Sequence, residues 1–276
     1  MAECAALFRP TTPRRLSPAG GAAITDIDLS QPLAAVDKPA IDAAFLAHHV
    51  VIFPGQKLSR EQQFLFAANF GEVETHGAHR GETKRQDIAH VLSNLDADGN
   101  PTVRFSRAGN HNWHTDKPYY PAPPLLTMLH AVELPPTGGD TEFADMTMAY
   151  DALPETTKQR IAVLRVAFGP AFEPERGTTA THPLVRTHPD TGRKSLYIGN
   201  HSTHVVGLAK AEGTALLAEL LAHATQRRFV YTHRWRLGDL VMWDNRCLLH
   251  RVVPDDSMRR HRRILYRSVV KGSIPI

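Results

Sequence analysis

The second half of the chain alternates short apolar runs with turn signals, and this pattern constrains the fold more than any other feature. The run at 125–132 predicts a strand, and the Pro- and Gly-rich stretch at 135–140 predicts a turn. Further strands are predicted at 184–186 and 195–198, which form a hairpin, and at 229–235, 239–243 and 264–270. Strands that follow one another without helices usually pair antiparallel. The sequence therefore predicts a mainly β fold with flanking helices, either a sandwich or a jelly roll.

Helices are predicted where the apolar spacing changes to the helical period. Asp37 and Pro39 mark the start of one helix, and Ser59 begins a capping box that starts a second. Leu residues of 216–221 form one stripe at helical spacing, which is typical of a helix packed on a core. We expect these helices to lie outside the sheet. The stretch 73–112 is polar and has no clear period, so it is predicted to be a lid.

The chain is long enough to bury a substantial core, as one large domain or two small ones. The 276 residues contain 42% hydrophobic and 22% charged side chains, which is ordinary for a globular protein. No apolar run reaches the roughly 20 residues of a membrane helix, and no secretory signal is apparent. Two cysteines, Cys4 and Cys247, provide no disulfide framework. A cytoplasmic location without membrane association is therefore the expectation. Cys247 is expected to be a buried strand thiol, with a metal pairing to His250 as the alternative.

Two His-x-Asp tripeptides compete as candidates for a metal site. His114 and Asp116 precede a strand-forming stretch, and residues two apart in an extended chain point to one face. His188-Pro189-Asp190 instead lies in a predicted turn, where its side chains are expected to be solvated. One histidine and one carboxylate on one face supply two of the three ligands of the facial triad of non-haem Fe(II) enzymes. We therefore place the site at the first tripeptide.

The third ligand is expected to be a histidine from far along the chain. His250 is the best candidate, because it follows a buried strand that runs into a turn. His201 and His204 are rivals as a pair three residues apart, whereas His233 has the pattern of an ordinary strand histidine. His111, which precedes the first tripeptide, is expected to lie in the cavity wall or lid.

Two arginines on the last strand predict that the cavity receives anions. Arg263, Leu265 and Arg267 are every second residue of this segment, so all three side chains point to one face of the strand. Buried charges are costly unless they are paired, and arginine grips a carboxylate with two parallel hydrogen bonds. A chelating cosubstrate such as 2-oxoglutarate would present one acidic group and a small acidic substrate the other. A solvated arginine edge is the alternative.

Four segments carry a resemblance to a known family. They are NWHTD (112–116), GGDTEFADM (138–146), HPLVRTHPDTGRK (182–194) and GDLVMWDNRCLLHR (238–251). The chain resembles the Fe(II)/2-oxoglutarate-dependent dioxygenases of the taurine dioxygenase and 2,4-dichlorophenoxyacetate dioxygenase family over about residues 15–270. The resemblance implies one domain over residues 1–276, built as a double-stranded β-helix, which is a relative of the jelly roll. It also implies Fe(II) as the cofactor, 2-oxoglutarate as a cosubstrate and O₂ as the oxidant.

The resemblance also implies roles for individual residues. The iron ligands would be His114, Asp116 and His250. Thr141 matches the threonine that hydrogen-bonds the 2-oxoglutarate carboxylate, and Arg263 matches the arginine that pairs with it. Three further matches lie at positions that contact the substrate in the sulfonate branch: Arg267, His76 and Asn110. A homo-oligomer is plausible on the same ground.

Three hypotheses of function follow from the sequence. The first is a dioxygenase that hydroxylates a small acidic substrate, either an aryloxyalkanoate or a sulfonate-like compound, with ether or C–S cleavage as one outcome. The second is a barrel that binds metal or ligand without catalysis, which Thr141 and the two arginines disfavour. The third is a nucleic-acid demethylase, which rests only on the basic run 259–263. That run lacks interleaved aromatic residues, so we expect no nucleic-acid partner.

Overall fold

The computed structural model describes residues 12–75, 89–102, 111–170, 179–253 and 255–276. Strands outnumber helices in this part of the chain. In chain order the strands are β1 (Arg14–Ser17), β2 (Gly20–Ala23), β3 (Val50–Phe53), β4 (His90–Ser93), β5 (Leu126–Glu133), β6 (Thr141–Asp145), β7 (Arg165–Phe168), β8 (Ala180–Pro183), β9 (Val185–Thr187), β10 (Lys194–Leu196), β11 (Ser202–Val205), β12 (Val230–His233), β13 (Leu240–Asp244), β14 (Leu248–Val252) and β15 (Ile264–Val270). The helices are α1 (Lys38–His48), α2 (Arg60–Ala67), α3 (Met146–Asp151), α4 (Glu155–Ile161) and α5 (Lys210–Ala224).

Two sheets of the described chain form the core of the fold. The larger has seven strands in the order β1-β2-β3-β13-β5-β15-β4, and the smaller has three in the order β12-β6-β14. All pairings in the two sheets are antiparallel except that of β2 with β3. Apolar side chains of both sheets form one cluster, with Phe143 and Leu248 from the smaller sheet and Val241 from the larger. The predicted mainly β, jelly-roll architecture is confirmed.

Strand β13 shows why the larger sheet is covered on both faces. Its side chains alternate, because successive residues of a strand point to opposite sides. Val241 and Trp243 join the cluster between the two sheets. Leu240 and Met242 join a second cluster that contains side chains of helices α1 and α2. Because both faces of β13 are covered, all five of its residues are buried, and four of the five are apolar in the sequence.

The two N-terminal helices begin where the sequence predicts. Asp37 is the N-cap of α1 and Pro39 lies in its first turn, where proline costs no hydrogen bond. Helix α2 has a complete capping box, in which Ser59 accepts from the Gln62 N–H and the Gln62 side chain accepts from the Ser59 N–H. The capping box stabilises the short helix α2, and both helices pack against the outer face of the larger sheet.

A third apolar cluster joins helices α3 and α5 to the remaining strands. Leu216 and Leu220 of α5 are buried in it, which confirms the predicted stripe. Strands β9 and β10 pair antiparallel, which confirms the predicted hairpin. No helix in the described ranges has the length and apolar character that crossing a membrane requires.

The predicted lid lies only partly within the described residues. The segments 76–88 and 103–110 are outside them, and with them His76 and Asn110. Between these segments, His90–Ser93 forms β4, which pairs with β15 at the end of the larger sheet. This part of the stretch 73–112 is therefore a strand of the larger sheet that the sequence did not indicate, and the lid stays a prediction. The alternation of His90–Ser93 was too short to stand out from the polar surroundings.

Candidate metal centre and its cavity

A single backbone bridge joins the first His-x-Asp tripeptide to the distal histidine. His114 and His250 lie opposite each other in an isolated antiparallel bridge. The His114 N–H donates to the His250 carbonyl at 3.0 Å, and the His250 N–H donates to the His114 carbonyl at 2.7 Å. The ring centroids of the two histidines are 4.1 Å apart. The side chains are close because the two backbones exchange both hydrogen bonds at this point.

Asp116 completes the cluster. One nitrogen of each imidazole and one oxygen of the Asp116 carboxylate lie within 4.8 Å of one another. Relative exposure is 8% for His114, 9% for Asp116 and 7% for His250, so the cluster is nearly closed to solvent. The structure therefore brings together the three residues that the sequence singles out, in one buried cluster.

Hydrogen bonding and burial favour the forms of these residues that bind a metal. The His114 Nδ1–H donates to the Asn112 carbonyl at 2.8 Å, which leaves the lone pair on Nε2. Burial lowers the pKa of both His114 and His250, so that both rings are neutral. Burial opposes ionisation of Asp116, but its neighbours, of which the Arg267 guanidinium has the largest effect, hold its pKa well below its usual range.

The donor set fits a divalent metal. The His250 Nε2 is 3.9 Å from the Asp116 Oδ1, which is too far for a direct hydrogen bond. Two neutral imidazoles and one carboxylate are the ligands of the facial triad that binds non-haem Fe(II). A cation held between the three groups would satisfy them together.

A second group of possible ligands, His49, Asp244 and Cys247, is much less suited to a metal. Both oxygens of Asp244 already accept hydrogen bonds from the Arg246 guanidinium, at 2.8 and 2.7 Å. Burial raises the pKa of the Cys247 thiol well above its usual value, so the thiol stays protonated. Cys247 lies in the turn between β13 and β14 and does not form a ligand group with His250. It is a buried thiol as expected, but not in a strand.

The second tripeptide is only partly as predicted. His188-Pro189-Asp190 does lie at a turn, but the expectation of solvated side chains was wrong for His188, which is 1% exposed. Its Nε2 is 2.9 Å from the Asp244 Oδ2. Asp190, half exposed, receives a hydrogen bond from Arg246 at 2.6 Å. The turn was recognisable in the sequence. The residues that cover it, Asp244 at the end of β13 and the following Arg246, come from a distant part of the chain.

The cavity beside the cluster is lined by both sheets, through Leu92, His114, Asp116, Thr127, Leu129, Thr141, Trp243, His250, Val252, Arg263 and Arg267. Thr141 is 3% exposed, and the Trp235 Nε1–H donates to its hydroxyl oxygen at 3.0 Å. The hydroxyl proton of Thr141 is therefore directed away from Trp235 and is available to an acceptor.

Arg263 carries its charge into the interior at a free-energy cost. It is 2% exposed, and burial lowers the pKa of its guanidinium to about 10 although the Asp140 charge acts in the opposite direction. Its Nη2 donates to the Gly139 carbonyl at 3.2 Å. Gly139 has φ +74°, and a Cβ there would lie 3.0 Å from the Arg263 Nε. The glycine therefore gives the guanidinium room beside Thr141.

Arg267 lies on strand β15, which begins directly after Arg263, and it reaches the same cavity. Its guanidinium nitrogen Nη2 is 3.7 Å from the Asp116 Oδ1, and its Nε is buried with no hydrogen-bond partner in the described ranges. The side chain is 20% exposed, which is more than that of Arg263. The predicted placement of both arginines toward one cavity agrees with this lining, and the alternative of a solvated arginine edge does not.

The rival histidines do not join the ligand group. The ring of His201 lies 6.3 Å from that of His114 and 5.2 Å from that of Tyr119, and burial lowers its pKa to about 4. His204 is exposed on β11. His233 lies on strand β12 with its Nε2 3.1 Å from the Asp239 Oδ2, outside the ligand group. His201 is therefore an uncharged part of the wall around the cluster.

The basic run at 259–263 divides between solvent and cavity. Arg262 is exposed and pairs with Glu133 at 2.9 Å, and Arg259 lies 3.5 Å from Asp256. Arg263, by contrast, is buried in the cavity wall. The last arginine of the run is therefore part of the cavity wall and not of the exposed surface.

Sequence reasoning missed three polar residues that support the site. Thr127 and Asn245 are fully buried and contact Asp116, and Trp235 contacts Thr141. Thr127 lies inside an apolar strand, where a hydroxyl needs a partner when buried. That requirement was the available signal, but the partner is identified only by the fold.

A buried two-histidine, one-carboxylate cluster inside a jelly roll, with arginines in its cavity, defines the class of non-haem Fe(II) oxygenases. The comparison with known families agrees with this class. The profile of the family described as "Taurine catabolism dioxygenase TauD, TfdA family" matches residues 9–268. The chain belongs to this TauD/TfdA family.

The chain is similar to characterised relatives over most of its length. It is 43% identical to the alpha-ketoglutarate-dependent 2,4-dichlorophenoxyacetate dioxygenase of Cupriavidus pinatubonensis, over 86% of this chain and 90% of the relative. It is 36% identical to the (S)-phenoxypropionate/alpha-ketoglutarate-dioxygenase of Sphingobium herbicidovorans, over 84% and 85%. The crystal structure of AAD-2 with Mn(II) and N-oxalylglycine superposes with a TM-score of 0.85 at 35% identity, over 97% and 98% of the two chains.

The chain is accordingly an oxidoreductase, a 2-oxoglutarate-dependent dioxygenase that uses Fe(II), 2-oxoglutarate and O₂. The resemblance stated from the four sequence segments is confirmed.

Proposed function

We propose that His114, Asp116 and His250 hold the Fe(II) of this dioxygenase. The observation that carries this proposal is the backbone bridge between His114 and His250, which gathers three buried donors around one point. The two imidazoles are neutral and the carboxylate is ionised, which are the states that a metal requires.

Bound Fe(II) supplies the activation of O₂, which is coupled to the oxidative decarboxylation of 2-oxoglutarate to succinate and CO₂. Three protein ligands leave about three of six coordination positions open. The role of the protein is to orient the two organic reactants and to keep water from the cavity.

Thr141 and Arg263 bind the distal carboxylate of 2-oxoglutarate in this proposal. Both are buried in the cavity wall, and the Thr141 hydroxyl proton is free to point at an acceptor because Trp235 donates to its oxygen. Burial lowers the pKa of the Arg263 guanidinium by more than the nearby Asp140 charge raises it. A carboxylate placed against this guanidinium would restore the lost interactions, and the pair would be strong because it is shielded from water.

Arg267 receives the acidic group of the substrate. It lines the cavity with its Nη2 3.7 Å from the Asp116 Oδ1, its side chain is 20% exposed, and its buried Nε has no hydrogen-bond partner among the described residues. We further propose that the substrate is an aryloxyalkanoate, on the strength of the 43% and 36% identical relatives that act on such compounds. His76 and Asn110, outside the described residues, stay predicted substrate contacts.

The proposed reaction inserts one oxygen atom of O₂ into a C–H bond next to the ether oxygen, and the other atom goes into succinate. The product carries a hydroxyl and an ether oxygen on one carbon, and it collapses with cleavage of the C–O bond. Phenoxyacetate would thus give phenol and glyoxylate, together with succinate and CO₂. The protein contributes by presenting the carbon beside the anchored carboxylate to the metal centre.

The test is a substrate panel with the purified protein, Fe(II), 2-oxoglutarate and O₂. Phenoxyacetate, 2-phenoxypropionate, an alkyl sulfate and an alkyl sulfonate would each be assayed for succinate, and the aryl ethers also for phenol. We expect aryloxyalkanoates to give the highest kcat/KM and equal amounts of phenol and succinate. Preference for the sulfate or sulfonate would contradict the proposed substrate, while still supporting the dioxygenase.

Two variants then separate the roles of the arginines. Arg267→Met should raise the KM for phenoxyacetate by roughly 30-fold or more, since truncating one partner of a buried charge pair costs about 2–5 kcal/mol. The KM for 2-oxoglutarate should stay within about threefold. Arg262→Met, at the exposed neighbour that pairs with Glu133, is the matched control and should change neither constant. If Arg267→Met raised only the KM for 2-oxoglutarate, Arg267 would bind the cosubstrate instead of the substrate.

A further inference from the structure

The carboxylate of Asp116 is held on one side by a threonine of the central strand β5. The Thr127 hydroxyl donates to the Asp116 Oδ2 at 2.5 Å, and Thr127 is completely buried. The other oxygen, Oδ1, faces the His250 Nε2 at 3.9 Å and Arg267 at 3.7 Å. The two oxygens of Asp116 are therefore in different surroundings. Oδ2 accepts a hydrogen bond from Thr127 of β5, and Oδ1 faces His250 and Arg267.

Asn245 determines where the single hydroxyl proton of Thr127 goes. The Asn245 Oδ1 accepts from the Trp243 Nε1–H at 3.1 Å and lies 3.4 Å from the Asp116 N–H, so this side of the amide is the oxygen. The Asn245 Nδ2 is then on the other side and donates to the Thr127 Oγ1 at 2.9 Å. Because Nδ2 is only a donor, the Thr127 proton is left for Asp116.

The turn that carries Asn245 is fixed at several points. The Asn245 N–H donates to the Leu125 carbonyl at 2.9 Å, and the Asn245 carbonyl accepts from the Thr115 hydroxyl at 2.8 Å. The preceding residue, Asp244, is bound to the buried Arg246. Asn245 thus joins three parts of the chain, namely the start of β5, the His114–Asp116 segment and the end of β13.

We propose that the chain of hydrogen bonds from Trp243 through Asn245 and Thr127 positions Asp116, so that only Oδ1 binds the metal. This proposal rests on the assignment of Asp116 as a ligand. If Oδ2 were free to turn, both oxygens would bind and would occupy a coordination position that 2-oxoglutarate or O₂ requires. Thr127 is therefore a positioning residue, which acts on the metal through Asp116.

The test compares Thr127→Val, which has nearly the same shape but no hydroxyl, with Thr127→Ser, which keeps the hydroxyl. Mn(II) affinity is measured by calorimetry on the metal-free protein, without 2-oxoglutarate. Loss of a hydrogen bond to a ligand typically costs 10–100-fold in metal affinity. We expect Thr127→Val to weaken Mn(II) binding by about 10-fold or more, and Thr127→Ser to stay within about threefold of the unaltered protein.

A spectroscopic measurement and a control separate positioning from simple core packing. The visible absorption of the Co(II)-loaded protein reports the coordination number, and Thr127→Val should change it while Thr127→Ser should not. Thr147→Val makes the same substitution at a buried threonine of α3, outside the cavity lining. We expect it to leave both the Mn(II) affinity and the Co(II) spectrum unchanged.

Two outcomes would overturn the proposal. One is Mn(II) binding by Thr127→Val equal to that of the unaltered protein. The other is an equal loss in Thr127→Ser and Thr127→Val, which would show that shape rather than the hydroxyl matters. Asp116→Ala tests the ligand assignment itself, because unchanged Mn(II) affinity there would refute the metal site and not only the positioning by Thr127.

Discussion

Replacing Arg263 by methionine should make the protein more stable without ligands and unable to gain stability from 2-oxoglutarate. Arg263 is 2% exposed, and burial lowers its pKa to about 10. One pKa unit is worth about 1.4 kcal/mol, so the charge costs the folded state on the order of 3 kcal/mol. Methionine fills similar space without a charge, and replacing buried ions by apolar groups is often neutral or stabilising.

Part of this gain is offset by lost contacts. The hydrogen bond from the Arg263 Nη2 to the Gly139 carbonyl disappears in the variant. A hydrogen bond from a charged donor contributes about 1.5–3 kcal/mol. We therefore expect the free energy of unfolding of the metal-free variant to exceed that of the unaltered protein by roughly 0–2 kcal/mol.

Differential scanning calorimetry with EDTA, then with Mn(II) alone, and then with Mn(II) and 2-oxoglutarate measures both effects, since the last step isolates the stabilisation by 2-oxoglutarate. Saturation with a ligand at 100 times its Kd adds about 2.7 kcal/mol to the stability of the unaltered protein. Arg263→Met should lose most of this increment, because its site no longer provides the cation. Arg262→Met is the control and should retain the full increment, since Arg262 pairs with Glu133 at the surface.

Two results would refute the reasoning. If the variant without ligands is destabilised by more than about 2 kcal/mol, the buried charge contributes to folding rather than opposing it. If the variant keeps the full stabilisation by 2-oxoglutarate in the presence of Mn(II), Arg263 does not bind the cosubstrate.

Further predictions concern the metal ligands, the buried ion pairs and the glycine beside Arg263. His250→Ala should abolish stabilisation by Mn(II) in thermal unfolding, because one of three ligands is lost. Asp244→Asn should cost about 3–5 kcal/mol in urea unfolding at pH 7, since it removes the buried carboxylate that pairs with Arg246 and leaves that guanidinium only the half-exposed Asp190. Arg246 and His188 hold the pKa of Asp244 below its unfolded value against the opposing effect of burial; its contribution is therefore complete above about pH 5 and lost as the pH falls further. The difference in unfolding free energy between Asp244→Asn and the unaltered protein should accordingly shrink between pH 5 and pH 3. Gly139→Ala should raise the KM for 2-oxoglutarate in steady-state assays by about 10-fold, because its Cβ would displace the Arg263 side chain.

Local patterns predicted much of the secondary structure correctly. The caps at Asp37 and Ser59, the hairpin at 189–192 and the stripe at Leu216 all depend on residues within a few positions of one another. Strand β4 was missed because four residues are too few for a period to show. Its identity depends on pairing with β15, which lies far along the chain.

In the candidate site, too, local patterns predicted some features and contacts between distant segments decided others. Alternation along an extended chain was enough to place His114 beside Asp116, and Arg263 on the same side as Arg267. The identity of His250 as the third member was an inference from its place after a buried strand, with His201 left as a rival. The structure separates these two histidines, because only His250 forms the backbone bridge to His114.

The sequence by itself determined the kind of strands and helices, the tripeptide with its histidine and carboxylate, and, through four segments, the family. These features follow from the period of the side chains and from the chemistry of single residues. Only the tertiary structure decided that His188 is buried against Asp244, that Asn245 directs the Thr127 proton to Asp116, and that Gly139 makes room for Arg263. Each of these depends on the distance between residues far apart in the chain, and that distance exists only once the two sheets have packed.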